Sequence, residues 1–296
     1  MFVNVIAGVD GFDGGRDAVA LAMALGRGRG RLTLVTAYPA DRRHSPGFEA
    51  VQRAEALRVL EAARMEAGVE AELLALPDRS PARALHQVAE ERVADLVVLG
   101  SAHHGPLARI VLGDVGRVVV HGAPCPVAIA PKRFRGASPR TIGVGYDGSR
   151  ESRTALEVAR RLAEEEGSAL TLYVVYEIPP LPMVPVAGST TSFDELVAGR
   201  RRWAQELLDE ALAGLPARAA GTAVRGRPAA ELEAAAAHHD LFVVGSRSWG
   251  PVRRVVLGST SDHVAHHAPC PVLVVPRPAE AAAEPVPTTT TAVAAG

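Results

Sequence analysis

The chain has 296 residues, enough for two ordinary domains that each bury a core of their own. Hydrophobic residues make up 48% and charged residues 22%, the balance of a folded globular chain. A net charge of −1 and only 4% aromatics argue against nucleic acid or an anionic membrane surface as partners, because neither a basic field nor a base-stacking platform is available.

The first elements alternate in type. Val3–Val9 is a short apolar run ending in Asp10-Gly11, as a buried parallel strand would. Asp13–Leu25 carries Ala18, Leu21, Ala22 and Leu25 at helical spacing. Leu32–Tyr38 predicts a second strand, Phe48–Glu66 an amphipathic helix and Glu70–Leu76 a third strand. Pro81 at a first-turn position opens a helix to Glu91. Asp95–Leu99 is a fourth strand, Ile110–His121 a helix and Val127–Ala130 a last strand. A linker is expected over residues 133–139, between domains at 1–132 and 140–276.

The second half repeats the order. Strands are predicted at Thr141–Tyr146, Ala169–Tyr176, Ala217–Val224, Leu241–Val244 and Val272–Val275. Helices are predicted at Glu151–Glu165, Asp194–Ala213, Pro228–His238 and Ser259–His266. Pro179–Ser192 reads as a loop, and residues 277–296 as a disordered low-complexity tail. Alternating strands and helices imply right-handed crossovers and parallel sheets covered on both faces. The expected fold is therefore α/β, two tandem doubly wound, flavodoxin-like domains with five-stranded parallel-type sheets.

The repetition extends to single letters. Asp95–Asp114 reads DLVVLGSAHHGPLARIVLGD and Asp240–Ser259 reads DLFVVGSRSWGPVRRVVLGS, with APCPV following each. Gly100 and Gly245, and likewise Gly113 and Gly258, stand 145 residues apart. Cys125 and Cys270 share one repeat position, which points to buried structural thiols rather than a disulfide or a metal knuckle. Lys132 is the only lysine and lies outside any Gly-rich turn, which argues against a P-loop and a lysine Schiff base. The start, MFVNVIAGVDGFD, lacks the pattern of a secretion signal, and no stretch reaches the length of a membrane span; a cytoplasmic location is expected.

In an open parallel sheet a ligand sits at the carboxyl ends of the strands, where strand order reverses. Two loops meet there: the one after strand 1, with Asp10 or Asp147, and the Gly-rich one after strand 4, from Gly100 or Gly245. A Gly-rich loop leading into a helix start offers unpaired amides and a partial positive charge, a ready anion site.

At this spacing both halves resemble universal stress protein domains, over about residues 1–131 and 140–276. The resemblance implies an adenine nucleotide alpha hydrolase-like fold and pairing of the two last strands into an internal pseudo-dimer, with a homodimer of chains left open. It also implies that ATP-binding members carry a Gly-x2-Gly-x9-Gly-Ser/Thr loop, an aspartate after strand 1 near the adenosine and a valine in strand 2 against the base. The second half offers Gly245, Ser248, Gly258 and Ser259, with Asp147 and Val175; Thr260 and Arg247 complete the expected site, and Arg253 and Arg254 are nearby cations. Ser248 departs from the pattern, which has glycine there. The first half offers Gly100, His103 and Gly113 with Asp10 and Ala37, and departs further: Asp114 stands where the second half has Ser259. Asp114 is expected to cap its own helix and so occupy the amides a phosphate would use. Phe12 replaces Ser149.

Paired histidines occur at His103-His104, His238-His239 and His266-His267, and His263 and His267 lie four apart, but no metal is expected. No nucleophile with a paired base is evident, so catalysis is not expected. The expected role is an ATP-binding regulatory module of the stress response, with or without magnesium, acting mainly through the second domain. A non-binding scaffold for a protein partner and a weak ATP hydrolase or nucleotidyl-transfer enzyme are the alternatives.

Overall fold

Ten short apolar runs, each four to eight residues long, assemble into a single sheet in the computed structural model, which describes residues 1–27, 30–40, 46–102, 109–178, 193–246 and 256–276. The first half contains β1 (Asn4–Gly8), α1 (Asp13–Gly26), β2 (Arg31–Tyr38), α2 (Pro46–Ala67), β3 (Glu72–Pro77), α3 (Pro81–Glu91), β4 (Leu96–Gly100), α4 (Asp114–Val120) and β5 (Val127–Ala130). The second contains β6 (Thr141–Gly145), α5 (Arg150–Glu166), β7 (Ala169–Tyr176), α6 (Phe193–Ala213), β8 (Ala220–Arg225), α7 (Pro228–Ala236), β9 (Leu241–Gly245), α8 (Ser259–His267) and β10 (Val272–Val275). The expected loop at 179–192 and the tail at 277–296 lie outside the described residues.

The strand order is β3-β2-β1-β4-β5-β10-β9-β6-β7-β8. Pairing is parallel within each half and antiparallel at the centre, where Leu273 of β10 lies opposite Ala128 of β5. The two five-stranded sheets are thus continuous, and the last strands pair as the resemblance implied. Each half is doubly wound, but its order is 3-2-1-4-5, not the 2-1-3-4-5 of flavodoxin. The reversal falls between β1 and β4, and again between β6 and β9.

Both faces of the sheet are covered, which is why the strands read as continuous apolar runs. One core gathers Ala18, Leu25, Leu60, Ala128, Leu162, Leu208 and Leu273 beneath α1, α2, α5 and α6. The other gathers Leu85, Val119, Ile129, Leu232, Val264 and Val274 beneath α3, α4, α7 and α8. Each core crosses the β5–β10 seam without interruption.

The repeated aspartates before β4 and β9 are structural. Asp95 Oδ2 accepts the amides of Val3 (3.0 Å) and Asn4 (2.8 Å) at the start of β1. Asp240 Oδ2 accepts those of Arg140 (2.9 Å) and Thr141 (3.0 Å) and the Thr141 hydroxyl at the start of β6. Cys125 and Cys270 are buried, and burial pushes each thiol up to about 12. At pH 8 only about one thiol in 10⁴ is then ionised. A chromogenic disulfide reagent is therefore expected to release no colour from the folded chain in minutes, and two equivalents per chain after denaturation.

The helix expected over Ile110–His121 is shorter, beginning at Asp114. Ile110 is spent otherwise: its side chain is fully buried, and its amide donates to the Ala268 carbonyl of the other half at 2.9 Å. The Ala102 amide meets the Val111 carbonyl at 2.7 Å, which holds this segment extended up to Gly113.

Candidate functional site

Each point of strand reversal opens a cleft. The second-half cleft, about 350 Å³, is bounded by Asp147 and Ser149 after β6, Tyr173 and Val175 of β7, Leu232 of α7, Gly245 and Ser246 after β9, and Gly258–Ser261 at the start of α8. The structure thus brings together six expected residues: Asp147, Val175, Gly245, Gly258, Ser259 and Thr260. Arg247 and Ser248 lie outside the described residues, as do Arg253, Arg254 and His103.

The turn after β6 is held by its own residues. Gly148 has φ +76°, a conformation for which glycine carries no steric penalty. The Ser149 amide donates to Asp147 Oδ1 (3.0 Å), and Ser149 Oγ caps α5 by accepting the Ser152 amide (3.2 Å). Asp147 is thereby fixed at the cleft rim.

Gly245 has a packing reason that the motif did not reveal. A Cβ there would lie 2.7 Å from the backbone carbonyl of Glu151, so the first turn of α5 touches the end of β9 main chain to main chain. Beside it Ser246 is buried, and its hydroxyl has no hydrogen-bond partner among the described residues. Its counterpart Ser101 donates to the Ala130 carbonyl at 2.9 Å. A buried hydroxyl left unpaired costs about 1–3 kcal/mol, so Ser246 is a place where a bound group would gain.

Gly258 is the N-cap of α8, extended at φ −78° and ψ 164°, and no side-chain cap is present among the described residues. The amides of the first turn are thus uncapped by described side chains, with Ser259 and Thr260 beside them at the cleft. Ser261 ties this end in place, donating to the Gly245 carbonyl at 2.7 Å.

Tyr173, Leu232 and Ser246 were not predicted. Tyr173 shares a strand face with Val175 by the two-residue period, which is the signal that could have found it. Its hydroxyl lies 2.8 Å from His239 Nε2, and the rings meet edge to face at 5.5 Å. Burial lowers the His239 pKa, with His238 adding to the effect, and raises that of Tyr173. Because the folded state disfavours protonated His239, the unfolded chain binds more protons just below the ordinary histidine value of 6.5. Stability must then rise with pH through that window and be lost as pH falls below it. Melting temperature is expected to drop from pH 7.5 to pH 5.5, and His239→Gln should flatten that part of the profile.

The first-half cleft, about 490 Å³, is bounded by Asp10, Val35, Ala37, Leu85, Gly100, Ser101 and Gly113–Gly116. Asp10, Ala37, Gly100 and Gly113 therefore converge as expected. Gly11 repeats the positive φ of the turn at +82°, and the Phe12 amide donates to Asp10 Oδ1 at 3.1 Å. One expectation is overturned. Asp114 is not the cap of its helix; Gly113 is, at φ −72° and ψ 175°, with no side-chain hydrogen bond. Asp114 sits one residue further on, exposed and at the mouth of the cleft. It therefore sets a carboxylate at the cleft mouth without being the cap residue of α4.

A bridge joins the two halves. Arg109, at the end of the first Gly-rich loop, donates to Glu233 Oε1 on α7 (2.6 Å), and Glu233 Oε2 meets His263 Nε2 on α8 (2.7 Å). His263 also stacks on His267, centroids 4.3 Å apart. Among the described residues no three His, Cys, Asp or Glu side chains group in a way that could hold a metal ion, and no helix is long and apolar enough to cross a membrane.

Comparison with known proteins agrees with this architecture. The family model described as the universal stress protein family matches twice, over residues 1–131 and 139–276. A universal stress protein of Mycobacterium tuberculosis is 28% identical over 219 residues, covering 72% of this chain and 75% of that protein. One from Thermus aquaticus is 38% identical over 140 residues, 46% of this chain and 98% of its own length. The crystal structure of a universal stress protein from Archaeoglobus fulgidus shares the fold at a TM-score of 0.63 and 20% identity, covering 93% of this chain and 98% of that one.

Proposed function

The chain belongs to the universal stress protein family, and from that premise we propose that it is an ATP-binding regulatory module of the stress response whose nucleotide site is the second-half cleft. The observation that carries this reading is the uncapped start of α8 at Gly258, facing a cleft that also holds Asp147 and Val175. The α8 amides, with the hydroxyls of Ser259 and Thr260, hold the phosphates; the helix dipole contributes up to about 2 kcal/mol in such a geometry. Asp147 receives the ribose hydroxyls, and Val175 with the Tyr173 ring forms the apolar wall for the base. The Ser246 hydroxyl, without a partner among the described residues, supports the same reading, since a ligand oxygen would satisfy it.

Among the described residues no serine, threonine or cysteine of this cleft is hydrogen-bonded to a histidine base, so the reading is binding rather than turnover. Equilibrium dialysis with ATP and magnesium tests it. Saturable binding of one nucleotide per chain is expected, with a rise in melting temperature at saturation. No binding of ATP or AMP at millimolar concentration would overturn it.

A further inference from the structure

We propose that the first-half cleft is a separate site that selects an uncharged purine nucleoside and rejects its phosphorylated forms. The identity of the ring rests on the nucleotide reading of the second cleft, since the two clefts are duplicates; the selectivity rests on the first cleft alone.

Three observations carry the selectivity. The first is charge. Asp10 and Asp114 border the cleft, and no arginine or lysine is among its described lining residues. The second-half loop carries Arg247, Arg253 and Arg254; at the corresponding positions the first half has Ala102, Ala108 and Arg109. Arg109 is already engaged with Glu233 of the other half at 2.6 Å. A phosphate placed at Gly113 would therefore meet a carboxylate at the first helical residue and no cation among the described lining residues.

The second observation is space. The cleft has a volume of about 490 Å³, against about 350 Å³ for its duplicate, and Val35 and Ala37 stand in its wall where the second half has Tyr173 and Val175. That volume lies within the 300–1,000 Å³ typical of small-molecule sites. The third is wall chemistry. Val35, Ala37, Leu85 and Leu99 present apolar surface for a flat ring, and the charged groups of the lining, Asp10 and Asp114, are carboxylates, which accept hydrogen bonds from sugar hydroxyls. Apolar walls with two carboxylates at the rim suit a ligand that brings hydroxyl donors and no negative charge.

The test is a calorimetric titration of the full-length chain with adenosine in the presence of saturating ATP and magnesium. One equivalent of adenosine is expected to bind under those conditions, and Ala37→Trp, which fills the cleft, should remove it. Asp114→Ser changes an exposed side chain and should leave the fold intact. It is expected to raise ATP stoichiometry from one to two and to lower the adenosine-over-ATP preference of this cleft at least tenfold. ATP binding once while adenosine fails to bind beside it would overturn the inference and leave the second-half reading standing. Two equivalents of ATP on the unaltered chain, or no change in preference on Asp114→Ser, would overturn it as well. Adenosine binding that Ala37→Trp removes, in a chain that binds no ATP, would support this cleft and overturn the reading of the other.

Discussion

Gly258→Asp is expected to weaken ATP binding about a hundredfold while leaving the melting temperature unchanged or slightly higher. The backbone at Gly258 is extended, so aspartate fits there without strain. Aspartate is also a good N-cap, worth about 1 kcal/mol to a helix that has none. The same carboxylate would take the α8 amides offered to the phosphates and set a negative charge against them. Losing up to about 2 kcal/mol of helix-end attraction and adding about 1 kcal/mol or more of repulsion gives roughly 3 kcal/mol, or two powers of ten. Gly113→Asp, the equivalent change in the first half, should leave ATP affinity within about twofold. Dialysis and a thermal melt on both variants measure this. A loss of affinity accompanied by a loss of stability in Gly258→Asp would mean that the fold, not the site, had been disturbed.

Gly100→Ala is expected to be the most damaging single methyl among the described glycines. A Cβ at Gly100 would overlap the main-chain carbonyl of Gly14, and one at Gly14 would strike the Ser101 carbonyl. Two backbones meet here with nothing flexible to yield, so α1 must move off the sheet. Overpacking of this kind costs about 3 kcal/mol, roughly 6–12 °C in melting temperature for a domain of this size. The double variant Gly14→Ala with Gly100→Ala should lose less than the sum of the two, since one displacement of α1 relieves both clashes. Gly245→Ala meets Glu151 at 2.7 Å, a looser approach, and should cost less. Additive losses would show that the two glycines do not share a contact.

The strands and the duplication were legible because a covered parallel sheet leaves a strong local mark: an apolar run bounded by turns. What the sequence hid was what depends on the neighbour across the sheet. Ile110 looked like the first residue of a helix, yet its amide is held by Ala268, more than 150 positions away. Asp114 looked like a cap because aspartate caps well, but an extended Gly113 already terminates the helix, which moves the carboxylate one residue onward. Gly245 suggested room for a phosphate; its nearest neighbour is the Glu151 main chain. Asp147, Val175 and Gly258 were found because the resemblance fixes their spacing. Tyr173 is not part of that spacing; the two-residue strand period it shares with Val175, with β7 placed beside β6, brings its ring to the cleft.

The seam between β5 and β10 bears on how the two clefts could come to differ. In an assembly of identical chains, every substitution appears on both sides of the axis at once, and a change that spoils one pocket spoils both. Here the axis runs through a single polypeptide. Asp114 could arise without a second aspartate at 259, and Val35 and Ala37 could stay small while Tyr173 and Val175 filled the other side. The partner surface meanwhile stayed present at fixed stoichiometry. A mutational lineage of such a chain can therefore explore one pocket while the other is held constant, a freedom that two separate copies of one half do not have.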